Sequence, residues 1–101
     1  MAVELVEYID HSIKDNVNIL LSSFGEYGIR KSELKSEIIV TIINEIVDEF
    51  GIGPAFAIGT FFKQLEDVYK SDSQFDMYNN GEIDDLISEE ESYIINNYKF
   101  L

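Results

Sequence analysis

The sequence predicts an all-α protein, a single-domain bundle of about four helices over residues 1–101, and three observations point there. Apolar residues recur every three or four positions along most of the chain, the period of one helical face. Glycine and proline gather between these periodic segments, at Gly25–Gly28, Gly51–Pro54 and Gly81. With 46% hydrophobic and 13% aromatic residues, the chain has enough apolar surface to offset its ordering entropy despite a net charge of −13.

The first helix is predicted over about residues 3–24. Val6, Ile9, Ile13, Val17, Leu20 and Phe24 follow one another at spacings of three or four and share one face. "FGEYGIR" then breaks the pattern. Ser32 suits the N-cap of a second helix, whose apolar positions Leu34, Ile38, Ile39, Ile42, Ile43, Ile46, Val47 and Phe50 leave a narrow polar strip of Glu37, Thr41, Asn44, Glu45 and Asp48. So wide an apolar face predicts the central helix of the bundle. Its β-branched residues also suit a strand, but its acids recur every third or fourth residue, which favours helix.

Gly51 fits a C-cap, and Pro54 fits the first turn of a third helix, where a missing N–H costs nothing. Ile58, Phe62, Leu65 and Tyr69 form its apolar face to about Lys70, and Ala55, Ala57 and Gly59 are small enough for a close helix approach. "SDSQFDMYNNG" reads as a loop. The last segment is predicted helical from Glu82, with a break where Ser88–Glu91 matches a capping box before "YII".

Charge and composition exclude several function classes. Cysteine is absent, which removes disulfides, thiolate metal sites and cysteine nucleophiles together. The opening "MAVELVEYIDH" lacks the basic and apolar regions of a secretion signal, and the longest uncharged run, Gly51–Phe62, is far below the ~20 residues that span a bilayer. A cytoplasmic protein without membrane contact is expected. With 20 acids against 7 bases, the field repels nucleic acid and attracts basic partners. Residues 66–91 hold ten of the acids and only one lysine.

The stretch "FDMYNNGEIDDLISEEE" partly fits a calcium loop of the EF-hand type. Counting Asp76 as the first position puts Gly81 at the sharp turn and Ile83 at the apolar site, but Tyr78 and Ile87 stand where carboxylate ligands are needed. An Asn-Gly turn beside a solvated acidic face is the simpler reading. His11 is the one histidine, flanked by Asp10 and Asp15 on a polar face, and so is expected to be a solvated residue. No phosphate-binding glycine loop with its lysine is present. Neither catalytic residues nor metal ligands nor a cofactor is assigned, and the protein is expected not to be an enzyme.

"VDEFGIGPAFAIGTFFKQLEDVY" resembles a helix-turn-helix, with Gly51 and Ile52 at the turn and a following helix from Pro54. Ala55, Phe56, Ala57, Ile58, Gly59, Thr60 and Phe61 offer that helix no side chain for reading base edges, so no direct nucleic-acid binding is implied. In the last segment, Glu82, Asp85 and Glu89 fall at i, i+3 and i+7 and form a row. Carboxylates in such a row stand ~5–6 Å apart, near the ~6–7 Å between phosphates on a strand that rises 3.4 Å per nucleotide. In size, charge and helicity the chain resembles phage-encoded nucleic-acid mimics that occlude restriction or CRISPR machinery, and bacteriocin or toxin immunity proteins that cap basic nuclease sites. No sequence motif carries residue roles across from either.

The expectation is a small, acidic, non-enzymatic inhibitor or binding module for a basic protein, such as a nuclease or another nucleic-acid-binding protein. Its contact residues are expected to be Glu66, Asp67, Asp72, Asp76, Glu82, Asp84, Asp85, Glu89, Glu90 and Glu91. Nucleic-acid mimicry is the leading form and an immunity protein the second. A third is an assembly subunit that forms a homodimer through the "GPAFAIGTFF" helix, and a calcium-responsive module comes last.

Overall fold

The computed structural model describes residues 2–16, 20, 29–71 and 80–99, with the backbone alone at residues 2–3, 29–34 and 80. Four helices make up almost all of it: α1 (Ala2–Asp15), α2 (Ile29–Phe50), α3 (Pro54–Ser71) and α4 (Asn80–Asn97). Among the described residues there is no strand. The all-α class and the bundle architecture read from the apolar periodicity are therefore the architecture of the molecule.

α1 buries Leu5, Ile9 and Ile13, and Leu20 beyond it is buried as well. Val6 was expected on this face but is 41% exposed. At ~100° per residue, Leu5 and Ile13 lie symmetrically about Ile9, and Val6 falls on the flank. Asn16 turns the chain, with its N–H bonded to the Ile13 carbonyl at 3.1 Å and its carbonyl accepting from Leu20 at 2.9 Å. Val17 and Phe24 lie outside the described residues.

α2 begins at Ile29, one turn before the expected cap, so Ser32 stands inside the helix. Ile39, Ile42, Ile43 and Ile46 are buried, Ile38, Val47 and Phe50 pack around them, and the polar strip from Glu37 to Asp48 is exposed. Truncating Ile46 to alanine should cost about 2–5 kcal/mol of stability. A denaturant midpoint that hardly moves would contradict the burial.

Gly51 ends α2 with φ of 62°, a left-handed conformation that suits glycine, while its N–H still reaches the Val47 carbonyl at 2.9 Å. Three residues later α3 starts at Pro54. α3 packs against α1, α2 and α4, and this makes it the central helix in place of α2. Its buried arc is wide because Phe61 and Ala57 join Ile58, Phe62, Leu65 and Tyr69. Phe61 and Phe62 meet edge to face, with ring centres 5.2 Å apart. Of the three small residues expected to admit a close neighbour, only Ala57 is buried. Ala55 and Gly59 face outward, and a side chain at Gly59 would meet nothing within 4 Å.

α4 starts at Asn80 and runs unbroken through Ser88, so the capping-box match marks no break. Asn80 and Gly81 form its first turn. The loop expected over residues 72–79 lies outside the described residues.

Candidate functional site

The expected contact residues divide into three groups in the structure. Glu82, Asp85 and Glu89 line the outward side of α4, all three exposed, and Asp67 on α3 is exposed too. Their position follows from the helix itself. Ile83, Ile87 and Ile94 turn inward against the core, and the i, i+3, i+7 row falls on the far side.

A second group is tied to lysine. The Lys70 ammonium lies 2.6 Å from Glu66 Oε1 and 2.8 Å from Asp84 Oδ1, joining α3 to α4. Its pKa is raised by the hydrogen bonds to Asp84 and Glu66. The Asp84 carboxyl is held below the usual range, chiefly by the hydrogen bond from Lys70. These two carboxylates already share a cation and present less free charge than the sequence suggests.

The third group turns inward. Glu90 was expected on the contact surface, but its side chain is only 17% exposed and lies 3.2 Å from Lys35 Nζ on α2, itself 12% exposed. Lys35 Nζ also donates to the Tyr69 hydroxyl at 3.1 Å, and that hydroxyl donates to the Leu20 carbonyl at 2.6 Å. Burial raises the Glu90 carboxyl above its usual range, and the Lys35 charge pulls it part of the way back. Burial, aided by Glu90, also pushes the Tyr69 phenol up. Glu91 is half-buried, and burial raises its carboxyl as well. Asp72 and Asp76 lie outside the described residues.

One acidic feature was not read from the sequence. Between α1 and α2 runs a groove of about 420 Å³, with Ile38 and Ile42 at its base and Asp15, Glu37 and Glu45 among its walls. Glu45 Oε2 accepts from the Tyr8 hydroxyl at 3.3 Å across the helix pair. The α2 acids were visible in the sequence as a polar strip. Which residues of α1 would face them depends on how the two helices pair, and no single-helix pattern carries that.

The calcium-loop alignment meets a direct obstacle, because its second half, from Asn80, is continuous helix and Ile87 points into the core. Among the described residues no group of three or more His, Asp or Glu side chains is placed to hold a metal ion. His11 is exposed on α1. No helix among these residues is long and apolar enough to cross a membrane. Comparison of the chain with protein-family models, with curated proteins and with solved structures finds no match. Fold and surface together define an all-α bundle with an acidic outer helix.

Proposed function

We propose that the protein is a non-enzymatic binding module that engages a basic protein surface through the outer face of α4. The observation that carries this reading is the exposed row Glu82, Asp85 and Glu89, with Asp67 exposed on the central helix. A net charge of −13 accelerates encounter with a cationic cleft and disfavours anionic competitors. Nucleic-acid mimicry, as in an inhibitor of a restriction or CRISPR nuclease, is the leading form, and capping of a toxin nuclease by an immunity protein is the second. Both use the same face in the cytoplasm of the producing or host cell.

The test reverses Asp67, Asp85 and Glu89 to lysine, leaving Glu90, Asp84 and Glu66 in their internal pairs. The partner retained from a lysate at low salt should be lost, while reversing Glu4 and Glu7 on α1 should have little effect. Wild-type binding should weaken with salt and yield to competing nucleic acid. Undiminished capture by the folded triple variant rules this face out.

One observation favours a different reading. Phe56 is 60% exposed on α3, beside the outward Ala55 and Gly59, a patch suited to a homodimer. Sedimentation separates the two, since a homodimer persists at high salt and the charge-driven complex does not.

A further inference from the structure

The groove between α1 and α2 is charged at its ends and apolar along its floor. At one end Glu45 accepts from the Tyr8 hydroxyl across the helix pair at 3.3 Å. Asp15, seven residues after Tyr8 on α1, and Glu37, eight residues before Glu45 on α2, line the same groove. An antiparallel helix pair brings both to its other end. At 1.5 Å of rise per residue, they stand ~10–12 Å along the groove from the Tyr8–Glu45 contact. Ile38 and Ile42 floor the interval, Ile42 buried and Ile38 half-buried.

The groove offers acceptors and holds no cation of its own. Lys14, Lys35 and Lys70 lie against Asp10, Glu90 and the Glu66–Asp84 pair. Among the described residues no base lines the groove, and none pairs with Asp15, Glu37 or Glu45. The Thr41 hydroxyl donates to the Glu37 carbonyl and the Asn16 amide to the Ser12 carbonyl, each at 2.9 Å, which leaves chiefly oxygen acceptors for a guest. The guest must bring positive charge and N–H donors at both ends, with an apolar stem between them to lie on the isoleucines. At about 420 Å³ the space is of the size that takes a small molecule. A linear polyamine has this form. An extended chain advances ~1.2 Å per bond, so about nine bonds between terminal nitrogens, the length of spermidine, cover ~11 Å, whereas the roughly five bonds of putrescine cover only ~6 Å. The inner ammonium of spermidine falls at mid-groove, where Ser12 and Thr41 carry hydroxyls.

We infer that the α1–α2 groove is a binding site for a linear polyamine of about spermidine's length, held at one end by Glu45 and at the other by Asp15 and Glu37. The site uses no residue of α4 and does not depend on the function proposed for that helix. The experiment titrates isoleucine-labelled full-length protein with spermidine, octamethylenediamine and putrescine at constant ionic strength and follows the methyl signals of Ile38 and Ile42. Spermidine and octamethylenediamine should move both signals to saturation and bind about fivefold more tightly than putrescine, the weight of one well-placed exposed ion pair. Asp15→Asn/Glu37→Gln, with helicity checked by circular dichroism, should lower spermidine affinity by a similar factor and abolish the length preference. Reversing Asp67, Asp85 and Glu89 to lysine should leave the Ile38 and Ile42 shifts in place. Equal affinity for the three amines would mean attraction by net charge alone and would overturn the inference. Unmoved methyls would overturn it too, and if an oligolysine peptide then moved them, the groove would belong to a protein partner.

Discussion

Replacing Phe61 with alanine is expected to lower the unfolding free energy by about 3–5 kcal/mol. Phe61 is fully buried on the helix that touches all the others, and its ring packs edge to face on Phe62. The surrounding core relaxes only partially into a cavity of this kind, which is why the loss exceeds the transfer free energy of the ring. For a domain of this size the loss is a large share of the ~5–15 kcal/mol typical of folded proteins. Phe56→Ala, five residues earlier on the exposed side of α3, should change stability by no more than ~0.5 kcal/mol. Equal shifts in the denaturation midpoints of the two variants would mean that α3 is rotated from the orientation described.

Glu90→Ala should be comparably severe, at about 3–5 kcal/mol, because it leaves the Lys35 ammonium in the interior without its counter-charge. The Tyr69 hydroxyl remains as a neutral partner at 3.1 Å, which softens the loss without removing it. Replacing both charges, as in Lys35→Met/Glu90→Leu, should recover most of the deficit, since apolar substitutes for a buried pair are often neutral or better. A double variant no more stable than Glu90→Ala would contradict this account.

The pair also gives stability a pH dependence whose sign is fixed. Burial raises the Glu90 carboxyl above its unfolded value, so the folded chain holds that proton more firmly. The associated stability is complete below the ordinary glutamate range and is lost as pH rises through the folded value. Asp10 and Asp84 act in the opposite sense. Their carboxyls are lowered chiefly by hydrogen bonds from Lys14 and Lys70, and their contribution is lost as pH falls below the ordinary aspartate range. Subtracting the stability of Glu90→Gln from that of the wild type isolates the first effect. The difference should decline as pH rises out of the glutamate range, and a flat difference would mean a solvated carboxyl.

The apolar period showed where the helices are and most of what they bury, because a buried stripe must repeat with the helix. It misled about the centre. α2 has the longest apolar list, yet the central place belongs to α3, whose adjacent Ala57–Ile58 and Phe61–Phe62 pairs, four residues apart, widen its buried arc. That doubling was visible in the sequence. The acidic face was legible as a density of charge, but the sorting of its members was not. Glu90 stands at the heptad position between Ile87 and Ile94, a signal that it faces inward. That Lys35 would meet it depends on packing between helices far apart in sequence. The partner of Asp84 was nearer to hand, since Lys70 is the only base in residues 66–91.

The three residues from Gly51 to Gly53 bear on how the chain assembles. The entropy lost in closing a loop grows with its length, so α2 and α3, joined by the shortest connection among the helices, pair at the smallest conformational cost. Contacts between segments so close in sequence favour rapid folding. α1 and α4 then reach α3 from the two ends of the chain across longer connections and add to a hairpin already in place. On this order, substitutions in the α2–α3 hairpin act mainly on the folding rate, and those that loosen α1 or α4 act mainly on the unfolding rate.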